Sequence, residues 1–264
     1  MAKPSKPSTA TPDLTWLTED LNEAQRQAVV HSDGPVLILA GAGSGKTRVL
    51  TYRIAYILAN GLADPREIIS LTFTNKAAGE MRERVRKLVP HFVSGMWIGT
   101  FHSLFARLLR REAERIGFTS NFTIYDEDDQ LSLLKGLLQE MNLSVQQFPP
   151  RMISYKISMS KNQFVRPDEF LKTAETQQEL VIGKVYQNYQ RRLSEMNAMD
   201  FDDLLIKPIE LFELFPLVKE FYQDRFRYVL VDEYQDTNFD QYIALRLLAE
   251  KHHNICVVGD DAQS

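Results

Sequence analysis

The sequence predicts an α/β fold in which a parallel sheet, with helices on both faces, is interrupted by a mostly helical insert. Two observations carry this prediction. Strand-like and helix-like segments alternate over residues 36–116 and again after residue 200. Between them, residues 126–197 show one helical pattern after another. Such alternation is typical of parallel sheets, because two parallel strands need a crossover connection, usually a helix.

The first strand, loop and helix open the predicted sheet. Residues 21–30 have helical spacing, and a turn at 33–35 leads into the apolar run Val36–Ala40, which predicts a buried strand. A glycine-rich loop follows. Apolar residues then recur on one helical face over 47–58. We therefore expect a strand that passes through a tight loop into a helix.

Two further units repeat this order. Strands are predicted at Ile68–Phe73 and Met96–Gly99, and helices at Asn75–Leu88 and His102–Ile116. We expect these strands to lie beside the first one in the same sheet.

After residue 125 the sequence pattern predicts helices and no strands. Helices are predicted over Asp126–Met141, from Pro149-Pro150, from Pro167 and over Glu179–Met196.

The alternation of predicted strands and helices returns near Asp200. Strands are predicted at Tyr228–Val231 and Asn254–Val258, on either side of a helix over Phe239–Glu250. Asp200 itself either caps a helix or has a functional role.

Composition excludes several classes of protein. The 264 residues are 44% hydrophobic and 25% charged, as in average globular domains, and no apolar run reaches the roughly 18 residues of a membrane span. A net charge of −4 argues against a protein that binds nucleic acid by overall positive charge.

The single cysteine, Cys256, excludes an intramolecular disulfide and suits a reducing, cytoplasmic location. Residues 1–13 contain lysines without an apolar core and predict a disordered tail, not a signal peptide.

The glycine-rich loop has the pattern of a phosphate-binding loop. Residues 40–47 read Ala-Gly-Ala-Gly-Ser-Gly-Lys-Thr, with alanine at the position of the first glycine. Glycines let backbone N–H groups turn toward phosphate oxygens, while the lysine contacts the β and γ phosphates and the threonine hydroxyl contacts Mg²⁺. The alternative is an ordinary glycine-rich turn. The candidate nucleotide-binding residues here are Ala40, Gly41, Ala42, Gly43, Ser44, Gly45, Lys46 and Thr47.

Two adjacent carboxylates follow a later strand. Asp232 and Glu233 come directly after Tyr228–Val231. Phosphoryl-transfer sites need a carboxylate near the metal and a group that orients water. Asp232 is therefore the candidate metal ligand, together with Thr47, and Glu233 is the candidate general base. Acids at a helix N-terminus are the alternative interpretation, which the loop upstream disfavours.

Four more segments complete a series. Leu21-Asn22 stands with Gln25, residues 71–78 read LTFTNKAA, residues 99–102 read GTFH and residues 258–264 read VGDDAQS. With the phosphate loop and VDEYQDTN at 231–238, they resemble the Q motif, motifs I and Ia, the next DNA-contacting motif, and motifs II and III of one family. That family is the superfamily 1 DNA helicases of the UvrD, Rep and PcrA type, and the resemblance covers almost everything after the tail.

The resemblance implies roles for individual residues. Gln25 and Arg48 would contact the adenine, and Gln263 would sense the γ-phosphate as part of the catalytic set. The residues that would line a single-stranded DNA path are Phe73, Asn75, Thr100, Phe101 and His102. Core packing is the alternative for the two phenylalanines, and a structural role is the alternative for the histidine.

The resemblance also implies an architecture. Residues 14–112 and 198–264 would form a RecA-like ATPase domain, 1A, and residues 113–197 the helical domain 1B. The basic and aromatic side chains of 1B would either contact duplex DNA or form solvated surface; they are Tyr155, Lys156, Lys161 and Arg166. Members of the family continue into a second motor domain, 2A with 2B, which carries arginines for the γ-phosphate. We therefore expect the chain to be the N-terminal part of such a helicase, as a fragment or a truncated product, and nearly inactive alone.

The implied function is that of an ATP-dependent DNA helicase moving 3′ to 5′ on single-stranded DNA, in repair or replication. Its cofactors would be ATP and Mg²⁺, and its partners single-stranded DNA, junctions with duplex and the second motor domain, without a membrane. One alternative is a phosphate-loop kinase or transporter ATPase, although the sequence shows neither an LSGGQ-type signature nor an arginine-bearing lid. The other is a nucleotide- or DNA-binding module without turnover.

Overall fold

The computed structural model describes residues 15–41, 43–92 and 94–260, with only the backbone of Phe92. The predicted tail, Ala42 and Gln263 lie outside these residues. The chain divides into two compact units: the first comprises residues up to Thr100, Tyr222–Asp236 and residues from Leu248, and the second comprises Phe101–Phe221 and Thr237–Leu247. The predicted boundaries of domains 1A and 1B stay a prediction.

Strands and helices alternate at both ends of the described chain. The strands are β1 (Val36–Leu39), β2 (Ile68–Thr72), β3 (Trp97–Thr100), β4 (Thr123–Tyr125), β5 (Ala198–Asp200), β6 (Tyr228–Val231) and β7 (Ile255–Gly259). The α-helices are α1 (Glu23–Val30), α2 (Lys46–Ala59), α3 (Asn75–Leu88), α4 (Phe101–Glu112), α5 (Glu127–Glu140), α6 (Pro150–Asn162), α7 (Pro167–Thr173), α8 (Gln177–Glu195), α9 (Phe201–Leu214), α10 (Pro216–Arg225) and α11 (Phe239–Ala249).

The first unit contains a five-stranded sheet in the order β1-β7-β6-β2-β3. All four pairings are parallel, with Val36 opposite Cys256 and Val231 opposite Val257. Since the strands run in one direction, the loops after β1, β2, β3, β6 and β7 leave from the same edge. The predicted α/β class and parallel sheet are confirmed.

Strand β1 differs from the prediction of a buried strand. Leu37 and Leu39 are 61% and 59% exposed, whereas Val36 and Ile38 pack against the core. The reason is its position: β1 lies at the edge of the described sheet, and the described residues cover only one of its faces. A continuous apolar run does not distinguish a strand buried on both faces from one buried on a single face.

The core of the first unit lies between the sheet and helices α2 and α3. Leu50 and Ile54 of α2 meet Ile68, Leu230 and Val258 of three strands, and all five side chains are at most 1% exposed. Cys256 is buried in the same cluster. Burial raises the pKa of its thiol to about 11, so that it packs as a small apolar residue and is not a nucleophile.

The second unit is mainly helical, in agreement with the predicted insert. Helix α4 ends at Glu112, and the predicted residues up to Ile116 form a 3-10 turn that Gly117 closes with φ of 80°. A short parallel pair, β4 with β5, also occurs here. The sequence analysis missed this pair because three-residue strands carry too little periodicity. Among the described residues no helix has both the length and the apolar character to cross a bilayer.

A buried ionic network joins α6 to the start of α9. The Lys161 ammonium lies 2.6 Å from Asp200 Oδ2 and 3.0 Å from Asp203 Oδ1, and Tyr189 donates to Asp200 Oδ2 at 3.0 Å. Asp200 also caps α9, since its Oδ1 accepts from the Asp203 N–H. The capping role predicted for Asp200 is confirmed. Both interpretations of Lys161 as a surface residue are wrong, because its side chain is 3% exposed.

Electrostatics explains why these charges tolerate burial. Desolvation disfavours the ammonium of Lys161, but the two aspartates outweigh it and raise its pKa. Desolvation likewise opposes ionisation of Asp203, but Lys161 and Lys207 outweigh it and lower the pKa of that carboxyl. Burial, together with Asp203, raises the pKa of Asp200. Each charge therefore depends on its partners.

Replacing Lys161 by methionine should destabilise the protein by about 3–5 kcal/mol, because two buried carboxylates lose their cation. Urea unfolding followed by circular dichroism measures this loss. Lys156→Met, at an exposed position of the same helix, is the matched control and should change stability by less than about 0.5 kcal/mol. Equal stability of the two variants would contradict the interpretation of the network.

Candidate functional site

The loop between β1 and α2 is held at the carboxyl edge of the sheet. Its first residue, Ala40, donates its N–H to the Gly259 carbonyl at 3.1 Å. Gly45 caps α2 with φ of +89°, a conformation that favours glycine. The N–H groups of the first turn of α2 have no partner within the helix, and the helix dipole adds positive potential there. The described part of the loop therefore has the geometry of an anion site.

Lys46, the first residue of α2, points to two carboxylates. Its Nζ lies 3.4 Å from Glu233 Oε2 and 3.3 Å from Asp260 Oδ2. Desolvation opposes its charge, but the hydrogen bond to Asp260 and the charge of Glu233 outweigh it and raise the pKa of Lys46. The side chain is therefore a fixed cation at the mouth of the loop.

Thr47 and Asp232 form a pair of oxygen groups beside this cation. Thr47 Oγ1 donates to Asp232 Oδ2 at 3.0 Å, and the Glu233 N–H donates to Asp232 Oδ1 at 3.1 Å. Asp232 is 2% exposed. Burial raises the pKa of its carboxyl, against the opposing effect of the Thr47 hydrogen bond. A buried carboxylate of this kind gains stability from a bound cation.

Glu233 occupies an unusual backbone conformation. Its φ is 52°, in the left-handed region that non-glycine residues adopt rarely. Its side chain is 40% exposed, and Oε2 accepts from Gln235 Nε2 at 2.8 Å. The carboxylate therefore reaches solvent on the side of the loop and the lysine, as a general base must.

Gln235 and Asp260 are site residues to which the sequence analysis gave no role. Gln235 Oε1 accepts from the Asp260 N–H at 3.0 Å. Both residues lie inside segments that the motif comparison singled out, and β6 and β7 are neighbours in the sheet. Their contact depends on side-chain geometry at the strand ends, which spacing in the sequence does not reveal.

The residues expected to contact adenine lie beside the loop. Gln25 and Asn22 form a capping box at the start of α1, and Gln25 Nε2 also donates to the Ser44 carbonyl at 3.0 Å. Arg48 donates to the Asp20 carbonyl at 3.2 Å and lies over the ring of Tyr52. The structure thus joins Gln25 to the phosphate loop, and the contact with adenine stays a prediction.

The expected DNA residues of the first unit follow two neighbouring strands. Thr72 lies opposite Thr100 in the register of β2 and β3, so that Phe73 and Thr100 lie at the same edge of the sheet. Phe73 and Thr100 are half-buried, and Asn75 is exposed at the start of α3. These positions are accessible to a ligand.

Phe101 and His102, the residues of the second unit that were expected to contact DNA, differ in their burial. Phe101 is 1% exposed and its ring meets Phe105 edge-on, so in this conformation it offers no face to a base, and the expectation for Phe101 needs correction. His102 is half-buried, and its ring meets Phe201 edge-on at 5.4 Å. Burial lowers the pKa of His102, which favours a neutral ring. Phe201 is 45% exposed. The sequence analysis did not select it as a candidate, because it follows Asp200 and was considered only as part of the start of a helix.

Comparison with known proteins gives concordant matches. Residues 21–264 match the family described as UvrD/REP helicase N-terminal domain. Over 248 residues the chain is 50% identical to ATP-dependent DNA helicase PcrA of Bacillus subtilis, covering 94% of this chain and 34% of that protein. Over 251 residues it is 50% identical to the PcrA helicase of Staphylococcus aureus, with 95% and 34% covered. The chain spans about a third of the length of these curated relatives.

Proposed function

Because the chain belongs to the UvrD/REP helicase family, we propose that it forms the ATP-binding part of an ATP-dependent DNA helicase. One observation carries this proposal: the phosphate-loop cation and the acidic pair meet at a single site. Lys46 lies 3.4 Å from Glu233, and Thr47 donates to Asp232 at 3.0 Å. The two segments are about 185 residues apart in the sequence, so their meeting is a property of the fold.

The nucleotide would bind with its phosphates on the loop and its base near α1. Backbone N–H groups of the loop and of the first turn of α2 would cradle the phosphates, and Lys46 would contact the β and γ phosphates. The contact between Gln25 and the Ser44 carbonyl supports a base pocket beside the loop, with Arg48 as its second member.

A magnesium ion fits the oxygen groups at this site. Thr47 and Asp232 would hold it, because Mg²⁺ prefers hydroxyl and carboxylate oxygens and the burial of Asp232 favours a cation. When bound, the ion would neutralise charge on the β and γ phosphates. Among the described residues, no group of three or more His, Cys, Asp or Glu side chains is arranged to hold a metal ion.

Glu233 would act on the attacking water. Its Oε2 holds Gln235 and Lys46, which leaves Oε1 to accept a hydrogen bond from water. A carboxylate that orients water and accepts its proton suits hydrolysis of the γ-phosphate. Gln263, which lies outside the described residues, stays a predicted sensor of that phosphate.

Single-stranded DNA is the proposed polymer ligand. In the first unit, Phe73, Asn75 and Thr100 are the proposed contacts. In the second unit, considered by itself, they are His102 and the exposed ring of Phe201. Aromatic rings stack on any base, which permits tracking without sequence preference. The proposal has further parts: binding of junctions with duplex, 3′-to-5′ movement, a second motor domain, a role in repair or replication, and a cytoplasmic location.

Phe73→Ala should weaken binding of single-stranded DNA by about 5- to 100-fold, since one stacked base contributes roughly 1–3 kcal/mol. Fluorescence anisotropy with a labelled oligo(dT) measures this change, and Phe221→Ala, at a half-exposed position of α10, is the control. If Phe73→Ala lowers the melting temperature and leaves DNA affinity unchanged, the side chain serves the core instead.

Stimulation of ATP hydrolysis by single-stranded DNA tests the function as a whole. A helicase motor predicts a rate that rises with oligo(dT), whereas a kinase or transporter ATPase predicts no response to DNA. A binding module without turnover predicts no hydrolysis in either condition.

A further inference from the structure

Gln235 connects the proposed general base to the end of a neighbouring strand. Its Nε2 donates to Glu233 Oε2 at 2.8 Å, and its Oε1 accepts from the Asp260 N–H at 3.0 Å. The backbone N–H can only donate, so it fixes which end of the amide faces the carboxylate. The donor end of Gln235 is therefore directed at Glu233.

Lys46 completes a ring of four residues. Its Nζ contacts the same Oε2 of Glu233, and its second partner is the side chain of Asp260. In the described structure Glu233 thus has one charged contact, with Lys46, and one neutral contact, with Gln235. Each of these two residues also contacts Asp260.

The two contacts should respond differently to a nucleotide. Phosphate groups carry more negative charge than a single carboxylate, and Lys46 is the residue that would turn toward them. Its contact with Glu233 would then weaken just when the base has to be in place. The hydrogen bond from Gln235 does not depend on the lysine and would remain.

We propose that Gln235 is a positioning residue that holds the Glu233 carboxylate in its catalytic orientation once Lys46 has engaged the phosphates. The proposal rests on the proposed function of the site. Glu233 needs such a contact for two reasons. Its side chain is 40% exposed, and its own backbone has the strained φ of 52°. A neutral amide also supplies the hydrogen bond without placing another full charge beside the phosphates.

Gly259 supports this interpretation independently. A Cβ atom at this position would lie 3.3 Å from Gln235 Oε1, closer than most such contacts. Glycine at the end of β7 thus leaves room for the amide. Gly259→Ala should displace Gln235 without removing it, and serves as a second variant.

The test is single-turnover hydrolysis of Mg-ATP, with protein in excess and with oligo(dT), by Gln235→Ala and Gln235→Glu. The second variant keeps an acceptor for the Asp260 N–H but turns a carboxylate oxygen toward Glu233. We expect the hydrolysis rate of both to fall about 10- to 100-fold, because a small misplacement of a catalytic group has effects of this size. The dissociation constant for Mg-ATP should stay within about twofold of wild type. Gly259→Ala should show a smaller fall of the same kind.

Two comparisons separate the possible failures. In a Glu233→Gln background, Gln235→Ala should cause no further loss of rate, because the two residues act as one unit. The proposal is overturned if Gln235 variants hydrolyse ATP as fast as wild type while Glu233→Gln is inactive, or if nucleotide affinity falls as much as the rate. If Glu233→Gln itself hydrolyses normally, the proposed function fails instead. Gln178→Ala, at an exposed position of α8, is the matched control.

Discussion

Replacing Glu233 by glutamine should lower the rate of ATP hydrolysis by about 10²- to 10⁴-fold, the usual contribution of a general base. Glutamine has nearly the same shape but cannot accept a proton from water. Binding of Mg-ATP should change little, because glutamine keeps an oxygen beside Lys46 and the pair of Thr47 with Asp232 does not involve this side chain. Single-turnover hydrolysis and a binding titration on the same sample measure both quantities.

Glu213→Gln, at an exposed position of α9, makes the same chemical change away from the site and should leave the rate unaltered. A Glu233→Gln variant that hydrolyses ATP at the rate of this control would contradict the role of Glu233 as the base.

Lys46→Ala should weaken Mg-ATP binding by about 10- to 100-fold. The loss of one charge-assisted contact amounts to roughly 1.5–3 kcal/mol. The structure adds a second cause. Glu233 and Asp260 lose the cation that lies between them, and two uncompensated carboxylates would then face the phosphates. We therefore expect the upper part of this range.

Titration with a fluorescent ATP analogue measures the effect of Lys46→Ala. Lys135→Ala, which removes an exposed lysine of α5, is the control and should bind as wild type does. Circular dichroism should show that the variant remains folded, since Lys46 lies in a loop-to-helix turn and not in the core. Equal affinities of wild type and Lys46→Ala would exclude the phosphate-loop assignment.

The sequence predicted the elements of the fold well where periodicity is long. Helix α3 and strand β6 have the predicted bounds, and α2 and α8 differ by one or two residues at each end. The sequence failed where the signal depends on neighbours. The apolar run of β1 gave no indication that one of its faces is exposed, and the pair of β4 with β5 is too short to show a period.

The candidate site could be predicted in part for the same reason. Asp232 and Glu233 follow β6 directly, and the loop after β1 leads to Lys46 and Thr47. Parallel strands bring such residues to one edge. Gln235 depends on the path of a 3-10 turn and on the strained φ of the residue two positions earlier. Spacing along the chain contains no information on either.

Buried charged residues were the other feature that the sequence could not predict. Lys161 looks like a surface residue in the sequence, because lysine is rarely buried without partners. Its partners, Asp200 and Asp203, lie about 40 residues away, and only the packing of α6 against α9 brings them together.

The most direct test of the central claim is the single-turnover hydrolysis of Mg-ATP by the wild-type chain, with and without single-stranded DNA. This measurement isolates the chemical step from product release. The account predicts that phosphate forms slowly when the protein is in excess over ATP, since the chain alone is expected to be nearly inactive. It also predicts that oligo(dT) accelerates this formation and that both Lys46→Ala and Glu233→Gln suppress it. Phosphate formation that persists unchanged in both variants, or that ignores DNA altogether, would contradict the assignment of a DNA-coupled ATPase to this site.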